Sequence, residues 1–254
     1  MMLALLSDLH ANARALDACL AHARAHGATQ YAILGDLVGY GAEPVAVLDT
    51  VMALAAQGAV VLRGNHDKLA CSDPIARIND DLPMDDVAAQ GTRGQLGPHH
   101  RRFITQLPLS AQIGDSLLVH ASADAPKEWH YVDSLERAQA CLDAAVSRPG
   151  VQQVFVGHIH RQRLYYRSSR AGLLEFEPVP GFEFPIPPQR QWLATVGSVG
   201  QPRDGNPLAM YAMFDPQQRR MAFHRVAYDH MAAAAAIRAT GQPPFFATRL
   251  ENGR

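Results

Sequence analysis

Polar side chains follow directly on several apolar runs of the chain, where a buried strand would end. The clearest case is Gly64-Asn65-His66-Asp67, which follows the run 59–63. Packing does not require an amide, an imidazole and a carboxylate in succession, because burying polar groups is costly. In α/β sheets, ligands bind in the crevice beyond the carboxyl ends of the strands. This stretch therefore indicates a functional site, and its partners should follow other strands.

Four other apolar runs end in residues of the same kinds. They lead into Asp8-Leu9-His10, Gly35-Asp36, His120 and Gly157-His158-Ile159-His160. If strand geometry continues through Asp-x-His and His-x-His, both polar side chains of each motif lie on one side, because side chains alternate with a period of two. The sequence therefore predicts that these strand ends share one site.

The residues at these strand ends offer oxygen and imidazole ligands and no thiolate. Such a mixed set suits Mn, Fe, Zn, Ni or Co rather than Ca or a cysteine-based zinc site. Seven ligands are too many for one tetrahedral ion. They fit two ions ~3.5–4 Å apart that share a bridging carboxylate, an arrangement used for in-line displacement at phosphorus. The candidate ligands are Asp8, His10, Asp36, Asn65, His120, His158 and His160, with His66 beside them.

The first third of the chain alternates strands with helices. Asn12 is a candidate N-cap for the first helix, and Pro44 sits where the second helix begins. Gly27 and Gly58 are the predicted stops of these two helices. This order predicts a parallel sheet with right-handed crossovers.

The middle of the chain is less regular. Asp80-Asp81, Asp85-Asp86 and several glycines break residues 68–108 into short helices and loops. We interpret this stretch as an excursion over the rim of the sheet, near the site. A hairpin is predicted over 110–120, and a helix capped by Asp133 or Ser134 follows it.

Beyond His160 the pattern favours strands. They are predicted over 164–166, 173–176, 191–196, 209–214 and 221–226, with a surface loop over the Pro-rich stretch 178–188 and a last helix over 229–240. The chain has neither internal repeats nor a linker that would separate domains, so we predict a single domain over 1–254. The natural layering is α/β, with two packed sheets and helices outside.

Composition narrows the class of protein. Of the 254 residues, 48% are hydrophobic and 19% charged, and the formal net charge is −1. The even charge argues against a nucleic-acid-coating surface, although a small phosphorylated substrate remains compatible with it. The three cysteines, Cys19, Cys71 and Cys141, have no metal-type spacing and are expected to be structural or incidental. No signal peptide or membrane span is apparent, so a cytoplasmic location is expected.

The five polar blocks, in this order and spacing, resemble the signature of the calcineurin-like metallophosphoesterase family. The match covers residues 1–160. Further stretches resemble a bacterial and archaeal subgroup of small phosphodiesterase-type phosphoesterases. These stretches are Gly35-Asp36-Leu37-Val38-Gly39-Tyr40-Gly41, the segment Gly197–Gly205 and Val226-Ala227-Tyr228-Asp229.

The resemblance implies a fold and a set of roles. The fold is a four-layer α/β/β/α sandwich with two mixed β-sheets, and the activity is hydrolysis of a phosphodiester or phosphomonoester by a hydroxide held on two metal ions. His66 would protonate or stabilise the leaving oxygen. One metal would be held by Asp8, His10 and His160 and the other by Asn65, His120 and His158, with Asp36 as the bridge.

The chain departs from the family pattern in three places. The first block continues with Ala11-Asn12 instead of Gly-Asn, and Thr195-Val196 replaces Asn-Pro before the loop that carries Arg203. Gly39-Tyr40 stands where protein phosphatases and dinucleotide polyphosphatases have an Asp-Arg pair, whose Asp orients the catalytic His. The pattern thus speaks against a protein phosphatase and leaves open what orients His66.

Several alternatives stay open at the level of sequence. Arg203 is a candidate anchor for the substrate phosphate, the alternative being a solvated loop residue. Dinucleoside-polyphosphate hydrolysis and protein dephosphorylation are the alternative activities. A non-catalytic scaffold of the same fold is disfavoured, because a scaffold should lack ligand positions that this chain retains. Six of the other histidines are predicted at the surface: His22, His26, His99, His100, His224 and His230.

Overall fold

A computed structural model describes residues 1–72, 83–168 and 170–254. Its strands are β1 (Leu3–Leu6), β2 (Gln30–Ile33), β3 (Val60–Val61), β4 (Ser110–Ile113), β5 (Ser116–Val119), β6 (Gln153–Val156), β7 (Gln162–Ser168), β8 (Gly172–Phe176), β9 (Glu183–Pro185), β10 (Trp192–Val196), β11 (Ala209–Asp215) and β12 (Arg220–Val226). Its helices are α1 (Ala13–Ala25), α2 (Pro44–Ala56), α3 (Asn65–Cys71), α4 (Met84–Arg93), α5 (Pro98–Gln106), α6 (Leu135–Val146), α7 (His230–Ala239) and α8 (Pro244–Asn252).

The strands form two mixed sheets of six strands each. The first has the order β3-β2-β1-β11-β12-β9, and the second has the order β4-β5-β6-β10-β7-β8. In the first sheet β1, β2 and β3 run parallel, whereas in the second β5, β6 and β10 do. Each sheet therefore has three neighbouring parallel strands, at one edge of the first sheet and in the middle of the second, whose carboxyl ends can carry a site.

The alternation of side chains assigns each strand face to a layer. Along β1, Leu3 and Leu5 lie in the core between the two sheets, whereas Ala4 and Leu6 pack with α1 and α2 on the outer face. In the second sheet, Phe155 of β6 lies in the central core, and its neighbours Val154 and Val156 pack under α6. Both sheets are thus buried on two faces, and the predicted four-layer α/β/β/α sandwich is confirmed.

Most of the predicted elements are confirmed. Asn12 caps α1, with its side chain accepting from the Ala15 N–H, and Ser134 caps α6 by accepting from the Arg137 N–H. The hairpin over 110–120 is formed by β4 and β5. The loop predicted over 178–188 is wrong in part, because β9 lies within it and pairs with β12 at the edge of the first sheet. The helix α8 has no counterpart among the predictions.

The stretch 68–108 holds the end of α3 followed by α4 and α5. Asp80-Asp81 lie outside the described residues. Helix α4 packs through Ala88 into a cluster with Tyr40 and with residues of α7 and α8. This cluster brings the start of α4, with Asp85, to the end of the first sheet.

All three cysteines are free, with Cys19 and Cys141 buried and Cys71 half-buried. Burial raises the pKa of both buried thiols, that of Cys141 to about 11. These thiols are therefore protonated and unreactive at neutral pH. Within the described residues, no helix combines the length and apolar character needed to cross a bilayer.

Candidate metal centre

The structure brings six of the seven candidate ligands into two neighbouring groups of buried side chains. Within each group, one ligand atom per residue lies within 4.8 Å of those of the other two. The first group is Asp8, His10 and His160, and the second is Asp36, His120 and His158. The seventh candidate, Asn65, is half-buried beside the second group, with its Oδ1 3.2 Å from the Nε2 of His120.

Strand geometry does not continue into the Asp-x-His and His-x-His motifs, so the predicted alternation of their side chains is wrong. The backbones of five ligands lie in the left-handed region, with φ values between 45° and 67°: Asp8, His10, Asp36, His158 and His160. The chain turns sharply at each of these residues, and loop-to-loop hydrogen bonds hold the turns. The Asp8 N–H donates to the Gly35 carbonyl and the His10 N–H to that of Asp36. Such conformations are costly for residues other than glycine and cluster at functional sites.

Backbone carbonyls orient three of the imidazoles. The Nδ1 atoms lie 3.1 Å from the Val38 oxygen for His10, 2.6 Å from the Gln201 oxygen for His160 and 2.8 Å from the Leu34 oxygen for His120. A carbonyl oxygen can only accept, so each Nδ1 carries a proton, and in the neutral ring each Nε2 presents a lone pair to the site.

Acceptor atoms therefore converge in the first group without a donor between them. The Nε2 atoms of His10 and His160 are 3.1 Å apart, and Asp8 Oδ1 is 3.2 Å from the latter. The other carboxylate oxygen of Asp8 accepts from the His158 N–H. Gly157 is required here, because a Cβ at that position would collide with Ser7 and with this oxygen. Asp8 Oδ1 has no hydrogen-bond partner among the described residues, and a cation would satisfy all three acceptors.

Asp36 occupies the space between the two groups. Its Oδ1 accepts from the His66 N–H at 2.9 Å. Its Oδ2 lies 3.8 Å from the Nε2 of His10 and 3.3 Å from that of His120, and within the described part of the chain it has no hydrogen-bond partner. A buried carboxylate oxygen left without a donor is rare unless a ligand completes it. The donor set and these two orphaned oxygens fit divalent metal ions.

The carboxylates and imidazoles of the site shift one another's pKa values. Burial alone would raise the pKa of Asp8 and Asp36, but the facing His160 and His120, respectively, hold both values below the ordinary range. Burial lowers the pKa of His158 to about 3, with a further contribution from His120. Burial would lower the pKa of His120, but the charges of Asp36, Asp8 and Asp67 and the polar contact with Asp36 together raise it to about 9. Both carboxylates are thus ionised, as metal ligands must be.

His66 lies at the edge of the first group. Its ring packs edge-on against that of His10 and at a tilt against that of Tyr40. The ring centroids are 5.0 Å and 4.5 Å away. Gly39 makes room for it, because a Cβ there would lie 2.9 Å from the His66 Nδ1. The Tyr40 hydroxyl donates to Asp85 Oδ1 at 2.6 Å, and this oxygen is 3.9 Å from the His66 Nε2. Tyr40 thus packs against His66 and holds the Asp85 carboxylate near the His66 Nε2.

Arg203 lies at the rim of the centre. Its N–H donates to the His160 carbonyl, and its guanidinium donates to Gln201 Oε1 and lies 5.7 Å from the centre of the Tyr40 ring. Its positive charge contributes to lowering the pKa of His160, although burial is the larger cause. The guanidinium is therefore held close to the centre and is not a freely solvated loop charge.

Two residues that the sequence argument assigned no role organise the site. Asp67 is fully buried and accepts hydrogen bonds from the N–H groups of Gly64, Leu37 and Val38, so it joins the second block to the third. Burial and the nearby Asp36 raise its pKa to about 7. Its place three residues into α3 is the signal that could have identified it, because an acidic residue there can cap the helix. Tyr131 stacks on His158 with ring centroids 4.2 Å apart, and its signal in the sequence is the spacing Trp129-x-Tyr131, which resembles the family.

Comparison with known proteins gives this geometry a context. The family model for the calcineurin-like phosphoesterases matches residues 1–162. Uncharacterized protein MJ0912 of Methanocaldococcus jannaschii is 28% identical over 260 residues, which cover 100% of this chain and 98% of that protein.

Two solved structures resemble the chain over its whole length. The metallophosphoesterase from Sphaerobacter thermophilus has 33% identity and a TM-score of 0.86, with 100% of this chain and 99% of that chain covered. Hypothetical protein PH1004 of Pyrococcus horikoshii shares the fold, with a TM-score of 0.77 at 20% identity and with coverage of 100% and 98%. The protein belongs to the calcineurin-like phosphoesterase family.

Proposed function

We propose that the protein is a binuclear metal-dependent phosphoesterase that hydrolyses a small phosphodiester or phosphomonoester. The observation that carries this proposal is Asp36 Oδ2, a buried carboxylate oxygen without a hydrogen-bond partner among the described residues, between the histidines of two groups. A scaffold of the same fold would have no reason to keep that oxygen unsatisfied.

The two groups would each hold one ion. Asp8, His10 and His160 form the first ligand set, and His120, His158 and Asn65 form the second, with Asp36 shared between them. Oxygen and imidazole donors suit Mn, Fe, Ni, Co or Zn. When bound, the ions would supply positive charge at the phosphoryl oxygens and a nucleophile at neutral pH.

The side chains around the ions bind the substrate and move the proton. Arg203 would hold a non-bridging phosphate oxygen, because a guanidinium pairs with phosphate through two parallel hydrogen bonds. His66 is not needed as a ligand, so its Nε2 is available to give a proton to the leaving oxygen. Gly39-Tyr40 in place of the Asp-Arg pair supports a small substrate over a phosphoprotein.

A substrate panel on metal-reconstituted protein tests the proposal. The panel covers monoesters, diesters, cyclic nucleotides and dinucleoside polyphosphates, each with Mn, Ni or Co and after prolonged chelation. We expect turnover of a small ester that requires metal and returns when metal is added back. Hydrolysis that survives removal of the metals, or a metal-loaded protein inactive on the whole panel, would refute the proposal.

A further inference from the structure

A groove rich in arginine leads away from the metal centre. Its inner part is a cavity of about 270 Å³, where Tyr131 and Ile159 form the wall nearest the ligands. Its outer part is a cavity of about 650 Å³. Arg161, Arg163 and Arg203 line both parts. Together the two parts have the size of a small-molecule site and exceed what one phosphate needs.

The positive charge of the outer part is only partly neutralised. Arg163 pairs with Glu175 and Glu177, and Asp204 pairs with Arg225. Among the described residues, no acidic side chain pairs with Arg161, Arg203 or Arg249 within 4 Å. Burial and the nearby Arg203 lower the pKa of Arg249. Guanidinium groups crowded in this way favour an anionic ligand.

The guanidinium groups are also held in place. The Nε of Arg161 donates to the Arg203 carbonyl at 3.1 Å, and the Nε of Arg249 donates to the main-chain oxygen of Arg254 at 2.7 Å. Thr195, at one of the departures from the family pattern, donates to the Arg161 carbonyl at 2.7 Å. Bonds through Nε leave the terminal nitrogens of Arg161 and Arg249 available, and fixed forks of this kind match phosphate geometry.

We propose that this groove is a subsite for a second phosphate group, so that the preferred substrate carries one phosphate at the metal centre and another bound by Arg161 and Arg249. The inference rests on the proposed phosphoesterase function. The inner part also holds the carboxylate of Asp133, which places the second phosphate in the outer part, beyond Arg203.

Matched pairs of substrates test this inference with one readout. Each pair consists of two p-nitrophenyl alkyl phosphate diesters that differ only in a terminal phosphate on the alkyl chain, with chains of three to eight carbons. Nitrophenolate release gives kcat/KM for both members. In the wild type, we expect the terminal phosphate to raise kcat/KM at least about tenfold, with a maximum at one chain length.

Variants assign the gain to the groove. Arg161→Gln and Arg249→Gln should each remove most of the ratio between the two members of a pair, and Arg161→Lys should restore part of it. Arg24→Gln, at an exposed position on α1, removes the same charge elsewhere and should leave the ratio unchanged.

The outcomes separate this inference from the proposed function. No hydrolysis of either diester, together with an inactive panel of simple esters, would contradict the phosphoesterase itself. If both diesters are hydrolysed and the ratio of their kcat/KM values is near one, the proposed subsite is wrong. It is also wrong if the terminal phosphate raises kcat/KM equally at every chain length and this gain disappears at high salt. The wild-type series decides this even if an arginine variant fails to fold.

Discussion

Two clusters of histidines lie against the first sheet, and only one has the character of a metal centre. The distal cluster, on the side of the sheet that α1 covers, consists of His22 on α1, His26 at the C-cap of α1 and His224 on β12, with ring centroids 4.0 to 5.3 Å apart. It lines a cavity of about 490 Å³. The rings at the metal centre are spaced similarly, with centroids 4.8 to 5.0 Å apart.

Lowered pKa values do not distinguish the two clusters. Burial lowers the pKa of His158 to about 3 at the metal centre and that of His224 to about 4 in the distal cluster. In both places, Nδ1 atoms contact oxygens of the protein: the carbonyls of Val38 and Gln201 at the centre, and Tyr211 Oη next to His22. Crowded, tethered imidazoles are therefore not sufficient evidence of a metal site.

The carboxylates and the backbone make the difference. The metal centre has two buried carboxylate oxygens without hydrogen-bond partners in the described part of the chain, and five of its ligands have left-handed backbones. The distal histidines lie on a regular helix, at its C-cap and on a regular strand, and Glu183 of the same cavity is paired with Arg220. Unsatisfied anionic oxygens and local strain thus mark the functional cluster, because both are costly unless a cation offsets them.

The largest expected effect is the loss of the bridge. In Asp36→Asn, a neutral amide replaces the carboxylate that both ions would share. The occupancy of both sites should fall, so the protein should contain fewer than two equivalents of metal. Because metals supply several kcal/mol of transition-state stabilisation, activity should fall by roughly a thousandfold or more. Elemental analysis and steady-state rates measure both effects.

Asp49→Asn is the matched control for Asp36→Asn, because Asp49 is an exposed carboxylate that pairs with His100. It should keep two equivalents of metal and normal rates. Two full equivalents of metal in Asp36→Asn would contradict the prediction that both ions share Asp36. They would also weaken the distinction between the two histidine clusters.

The second effect concerns His66, the histidine at the centre that is left free of metal. His66→Ala should keep both ions, and its rate should fall ~10²–10⁴-fold with an alkoxide leaving group, which needs the proton. With nitrophenolate the fall should be much smaller. His99→Ala, at an exposed position, is the control. A lost metal equivalent would make His66 a ligand, and equal losses with both leaving groups would make its role electrostatic.

A smaller effect is expected from Asp85, which accepts from the Tyr40 hydroxyl and lies 3.9 Å from the His66 Nε2. Asp85→Asn should lower kcat with an alkoxide leaving group by roughly tenfold and leave KM unchanged, because a loosened His66 is still present. In a His66→Ala background the same substitution should cost nothing, since the two residues act as a unit. Asp86→Asn, one position along α4, is the control. Additive losses in the double variant would show that Asp85 acts independently of His66.

The fold was predictable to a large extent because its signals are local. The apolar run of β1, the caps at Asn12 and Ser134 and the hairpin of β4 and β5 follow from neighbouring residues. Edge strand β9 escaped prediction because a Pro-rich stretch does not favour a strand, and the strand is stabilised by contacts remote in sequence, its pairing with β12 and the packing of Phe184 on Phe223. His100 and His224 were predicted at the surface, and this was wrong. His100 is buried beneath Asp49, and His224 stacks on Tyr211.

The candidate site could be assembled from strand ends, although its geometry could not. The residue types after each strand single out the ligands, but not the left-handed turns that aim them. Those turns depend on bonds between loops, such as His10 to Asp36. Asp85 was missed for the same reason, because it reaches the centre from a separate part of the chain through packing that leaves no spacing to detect.

The smallest effect tests the distal cluster as a purely structural feature. His224 has a folded-state pKa of about 4 against an ordinary value of 6.5. Between these values the unfolded chain binds a proton that the folded chain excludes. The stabilising contribution is therefore present above pH 6.5 and is lost as the pH falls toward 4.

In His224→Gln this dependence should disappear. Relative to the variant, the wild type should lose about 1 kcal/mol of unfolding free energy between pH 7 and pH 4.5. This value is smaller than the full pKa difference would give, because the ring borders a cavity and is partly screened by solvent. Urea unfolding of metal-free proteins measures this, and titration of the metal ligands cancels in the difference between wild type and variant.

His99→Gln is the control, and metal-loaded His224→Gln should still bind two equivalents of metal. A parallel pH dependence in wild type and variant would show that His224 is not held neutral. A lost equivalent would make the distal cluster a metal site, and the contrast with the centre would then fail.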